Sequence, residues 1–118
     1  MRRDQERLQD MLAAMADIAR YVARGREAFE SEELIQVWMI HNLQVIGEAA
    51  RSTSATFRDQ YSAVPWVSII GFRNLVVHEY FRVDLTVVWD IVVQDLPDLQ
   101  VQIMAILAGL EDGDASGN

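Results

Sequence analysis

The sequence predicts an all-α single domain, an up-and-down bundle of four to five helices. Three observations carry that reading. Apolar residues recur at three- and four-residue spacing through most of the chain, the period of a helix with one buried face. Gly25, Ser31, Pro65 and Asp84 fall where those stretches start or stop. The one strand-like run, from Val83 to Val92, is β-branched but continues without turn residues into a longer apolar stretch.

The first helix is expected from Asp4 to Arg24, with Leu8, Met11, Leu12, Met15, Ile18 and Val22 on its buried face and Gly25 as its stop. A second opens at Ser31, an N-cap followed by Glu32 and Glu33 in the first turn, and runs to about Arg51. It is apolar around most of its girth, as a central or interface helix is. Its polar residues Glu33, His41, Gln44, Glu48 and Arg51 share one arc at 100° per residue. A short helical piece lies around Phe57–Tyr61, with Ser52, Thr53 and Ser54 closing the helix before it. Pro65 suits the first turn of a third long helix that ends near His78 to Tyr80. Asp84 caps the last helix, which reaches about Leu110 and is kinked or broken by Pro97. Residues 1–110 thus read as one helical domain and 111–118 as a disordered acidic tail.

Composition narrows the function. The chain has 118 residues, enough for one modest core, and 51% of them are apolar, so surplus apolar surface favours dimerisation. It has no cysteine, which excludes a disulfide scaffold, a thiol nucleophile and a thiolate zinc site. Its two histidines lack metal-ligand spacing, and neither a metal nor another cofactor is expected. The charged start Met1–Arg7 is not followed by a secretory apolar core, and strictly apolar runs are too short for a bilayer, so a cytoplasmic protein without membrane contact is expected. A net charge of −8 argues against a general nucleic-acid binder; any RNA contact must be local.

One segment concentrates functional side chains. Arg73, Asn74, His78 and Tyr80 stand in an otherwise apolar stretch. Asn74 and His78, four apart, share a helix face, whereas Arg73 and His78, five apart, lie about 140° apart on an ideal helix. They meet only if the arginine curls, the helix end distorts, or a symmetric partner brings two copies together. The set suits RNA cleavage without a metal. A histidine moves a proton in either direction at physiological pH, and an arginine forks onto a phosphate as its charge grows. One histidine cannot act as acid and base at once, whereas a two-fold dimer supplies two. The structural alternative is an Arg73–Glu48 ion pair with His78 capping its helix.

The string Arg73-Asn74-x3-His78-Glu79-Tyr80 resembles the signature of HepT-like proteins, the HEPN toxins paired with MntA-type minimal nucleotidyltransferases. Ile46-Gly47-Glu48-Ala49, Val64-Pro65-Trp66, Val88-Trp89-Asp90-Ile91-Val92 and Asp95-Leu96-Pro97 resemble them too, so the similarity covers residues 5 to 108. The resemblance implies a HEPN-type helical bundle, a homodimer with a composite groove, and a ribonuclease toxin acting on RNA. It implies Arg73 and His78 as the catalytic pair, with Asn74 in support, and Tyr80 as the acceptor of AMP from the cognate nucleotidyltransferase antitoxin. Glu48 matches the family's polar position and could orient Arg73, a plain salt bridge being the rival reading. His41 could extend the active groove or be a solvated helix histidine. Trp38, Trp66 and Trp89 read as core. The alternative function is a non-catalytic helical subunit that binds substrate or partner for a small nucleotidyltransferase, a reading the acidic charge favours.

Overall fold

Helix α1 (Arg2–Val22) buries Leu8, Met11, Met15 and Ile18 almost completely, the stripe that its spacing predicts. The computed structural model describes residues 2–74 and 84–116, with side chains for 3–74 and 84–110. Every regular element among the described residues is helical, which bears out the all-α expectation.

Gly25 ends the first helical unit at φ 93°, a conformation that suits glycine, and its N–H donates to Val22 O at 2.9 Å. The expected second helix is then two. Helix α2 (Arg26–Ser31) places Phe29 in the core, and helix α3 (Glu33–Arg51) follows after Glu32. Ser31 is therefore not the N-cap expected of it. Its hydroxyl donates backwards to Glu27 O at 2.9 Å, at the end of α2. The Gln36 amide donates to Phe29 O and Glu30 O, at 2.9 and 3.1 Å, which satisfies carbonyls that the chain break frees.

α1 packs most extensively against α3. Near its start, the buried Asp4 accepts from Ser54 N and Ser54 Oγ, at 2.8 and 2.9 Å, just past the end of α3. The two helices are therefore antiparallel. Arg58 donates to Ala50 O, Arg51 O and Thr53 O, so a cation closes the C-terminus of α3. Helix α4 (Ala55–Gln60) is capped by Ser54 Oγ, which accepts from Phe57 N.

Helix α5 (Trp66–Gly71) follows Pro65 and is much shorter than expected. Phe72 and Arg73 leave it through tight bonds to Ile69 O and Ile70 O, at 3.0 and 3.2 Å. Arg73 therefore stands in a turn at the end of α5, and its angle to His78 lies outside the described residues.

Helix α6 (Leu85–Asp90) is capped as expected: Asp84 Oδ1 accepts from Thr86 N and Val87 N. A π-helical turn, Ile91–Asp95, leads into helix α7 (Leu96–Ser116). This turn is how the chain accommodates Pro97. Proline lacks an N–H and crowds the carbonyl four residues earlier, and the wider turn just before it relieves both demands without ending the helix. α7 reaches Ser116, six residues beyond the expected boundary at Leu110. The segment Leu85–Leu110 is long and apolar enough to cross a bilayer by length and composition. Val88, Val92, Leu96, Leu99, Ile103 and Leu107 nevertheless lie in the core, as in a core helix of a globular bundle.

Candidate functional site

The site grows from a close crossing of α3 and the end of α5. Gly47 makes it possible. A Cβ at this position would stand 2.8 Å from Arg73 N, 2.9 Å from Ile69 O and 3.2 Å from Arg73 Cγ. Only a glycine lets the two backbones meet here.

The crossing fixes Arg73 between two members of the polar arc on α3. Arg73 Nε donates to Glu48 Oε2 at 2.9 Å, and the Gln44 amide reaches Arg73 O at a long 3.5 Å. The other carboxylate oxygen, Glu48 Oε1, pairs with Arg51 Nη1 at 3.1 Å. Glu48 is thus shared by two arginines, one from its own helix and one across the crossing. The Arg73–Glu48 pair is 37% and 53% exposed, so solvent screens it and it contributes about 0–1 kcal/mol to stability. What it supplies is orientation. The bond engages Nε and leaves both Nη groups outside it, the two donors that fork onto a phosphate.

Asn74 follows Arg73 and is exposed. His78 and Tyr80 lie outside the described residues. The structure thus joins Arg73 to Glu48 and Gln44, places Asn74 next in the chain, and leaves the second half of the motif without a position.

His41 is exposed about two turns before Glu48 on α3. Among the described residues no hydrogen bond joins it to Arg73; together with Glu48 it lines a groove between α1 and α3. Trp38 lines it too, with its ring stacked on His41 at 5.9 Å between centroids. This corrects the core reading of Trp38, which is 37% exposed. Trp66 and Trp89 do pack inward: Trp66 Nε1 donates to Tyr61 O at 3.0 Å, and Trp89 lies against Phe29 at 5.3 Å. Sequence reasoning also gave Gly47 no role of its own. Its signal was a glycine inside a helix, a position that costs about 1 kcal/mol relative to alanine and needs a packing reason.

Comparison with known proteins agrees with this architecture. Residues 11–106 match the family model described as "Ribonuclease HepT-like", a span that contains Gly47, Glu48, Arg73 and the whole motif through Tyr80. A provisionally named RNase of Caldanaerobacter subterraneus is 33% identical over 81 residues, 69% of this chain and 72% of that protein. A provisionally named RNase of Methanocaldococcus jannaschii is 30% identical over 106 residues, 89% of this chain and 91% of that one. A Thermococcus cleftensis protein named "Probable ribonuclease HepT" is 32% identical over 74 residues, 63% of this chain and 67% of its own. No solved structure matches the chain significantly. The chain belongs to the HepT-like ribonuclease family.

Proposed function

We propose that this chain is a cytoplasmic endoribonuclease toxin that cuts RNA without a metal ion, with Arg73 and His78 as its catalytic pair and Asn74 in support. The observation that carries this reading is the seat of Arg73. Gly47 admits its backbone, Glu48 holds Nε, and the Nη pair is left to fork onto a phosphate.

The reaction that suits these groups is attack of the ribose 2′-oxygen on the adjacent phosphorus. A neutral histidine takes the 2′-hydroxyl proton as the O–P bond forms. A protonated histidine gives a proton to the departing 5′-oxygen as the P–O5′ bond breaks. The products are a 2′,3′-cyclic phosphate and a free 5′-hydroxyl. Arg73 offsets the charge that grows on the non-bridging oxygens. The two histidine roles are opposite in one turnover, so a homodimer that presents two copies of His78 to one groove is part of the proposal.

Tyr80 is proposed as the acceptor of AMP from a cognate MntA-type nucleotidyltransferase. Its hydroxyl would attack the α-phosphorus of ATP with loss of pyrophosphate, adding negative charge beside the RNA groove that repels substrate. The test is cleavage of RNA by the unmodified protein beside Arg73→Ala and His78→Ala, with the folded state of each variant checked by circular dichroism.

The acidic balance favours a second reading, a non-catalytic subunit of a small nucleotidyltransferase. It predicts a stable complex, no cleavage, and no effect of Arg73→Ala on that complex's activity.

A further inference from the structure

We propose that the groove between α1 and α3 is a nucleobase subsite for the RNA, with Trp38 as its stacking platform; this rests on the ribonuclease reading above. The groove is open to solvent and offers about 490 Å³. Its aromatic element is the Trp38–His41 pair, with rings inclined by only 26° and the indole 37% exposed. An exposed tryptophan beside a histidine is a surface on which a base stacks.

Two polar side chains border the same groove. Asn42 is 4% exposed and lines the groove; its Nδ2 donates to Trp38 O at 2.9 Å, which fixes the amide beside the indole. Arg7 Nε is enclosed and has no acceptor among the described residues. The Asn42 amide and the Arg7 guanidinium beside an aromatic face offer an acceptor and donors of the kind that the edge of a base pairs with.

Charge selects the base over the backbone. Among the described residues, Asp10, Asp17 and Glu48 line the groove against one arginine, Arg7, which itself lies 3.8 Å from Asp10. An anionic phosphate is repelled there, whereas an exocyclic amino group finds acceptors. Adenine and cytosine carry that group and uracil does not. Glu48 borders the groove and also holds Arg73, while Trp38 lies ten residues earlier on the same helix, about 15 Å along its axis. A base on Trp38 thus belongs to a nucleotide beyond the one whose phosphate meets Arg73, and the subsite reads sequence next to the cut.

The test uses full-length His78→Ala protein, which binds without cutting, titrated with short oligoadenylate, oligocytidylate and oligouridylate and followed by tryptophan fluorescence. The expected order of affinity is adenylate, then cytidylate, then uridylate. The cytidylate–uridylate pair isolates the amino group from stacking strength. Adding Trp38→Leu, with helicity and oligomeric state unchanged, should weaken oligoadenylate binding about ten-fold, the range for one lost base–aromatic stack. His41→Ala should weaken it less and keep the fluorescence signal. Equal affinity for the three oligonucleotides, or binding indifferent to Trp38→Leu, overturns the subsite even if wild-type protein cuts RNA. Dissociation of Trp38→Leu into monomers overturns it too, assigning the surface to contacts between copies. Trp38-dependent binding by a wild type that cuts no RNA keeps the subsite and removes the proposed catalysis.

Discussion

Replacing Gly47 by alanine separates the cost of folding from the cost of misplacing Arg73. The new Cβ would stand 2.8 Å from Arg73 N and 2.9 Å from Ile69 O, against the 3.4 Å at which ordinary contact begins. Both are backbone atoms, so no side chain can swing away. The end of α5 must retreat from α3 by about 0.6 Å, carrying Arg73 with it. Overpacking of this kind costs about 1–3 kcal/mol, and alanine in a helix interior returns about 1 kcal/mol, so the net loss is about 0–2 kcal/mol. The functional loss should be larger in proportion. A misplacement of about 1 Å at a catalytic group can cost on the order of a hundred-fold, so RNA cleavage should fall by roughly ten-fold or more. The assay pairs urea unfolding with initial cleavage rates at matched folded fraction. A Gly47→Ala protein that gains about 1 kcal/mol and cuts at the wild-type rate would refute the claim that this glycine seats Arg73.

Gly109→Ala is the matched control, since a Cβ there meets nothing within 4 Å; it should raise stability by about 0.5–1 kcal/mol in the same urea titration and leave cleavage unchanged. Asp4→Ala removes a buried carboxylate that accepts twice from Ser54, and should cost about 1–3 kcal/mol, read as a lower melting temperature. Asp84→Ala removes the cap of α6 and should cost about 1 kcal/mol in the same measurement. Glu48→Ala should barely change stability, its pairs being half-exposed, yet slow cleavage by freeing the Arg73 guanidinium. Equal cleavage by Glu48→Ala and wild type would reduce Glu48 to a surface ion pair.

Helix existence was legible because burial writes itself as spacing: Leu8, Met11, Met15 and Ile18 announce the inner face of α1 directly. Asp84 was legible as a cap for the same local reason. The errors arose where tertiary partners decide. Ser31 has the chemistry of an N-cap, but Gln36 folds back onto the carbonyls of α2 and makes Glu32 the junction. Pro97 signals a disturbance without saying which, and a π-helical turn resolves it. At the site, the arc of Glu48, Gln44 and His41 could be drawn from helix geometry alone. That Arg73 reaches the first two and not the third depends on how α5 crosses α3, and nothing in a linear pattern states a crossing. Trp38 misled because aromatic residues at helical spacing are usually core, and only the packing of α1 beside α3 reveals the groove that leaves it open.

The most direct measurement of the central claim is RNA cleavage by purified, unmodified protein in EDTA, beside His78→Ala, with product ends mapped and Tyr80 confirmed unmodified by mass spectrometry. The account predicts that the wild type cuts and leaves 2′,3′-cyclic phosphate, while the folded His78→Ala protein does not cut. Cleavage that survives in His78→Ala, or that vanishes from the wild type in EDTA, would contradict it.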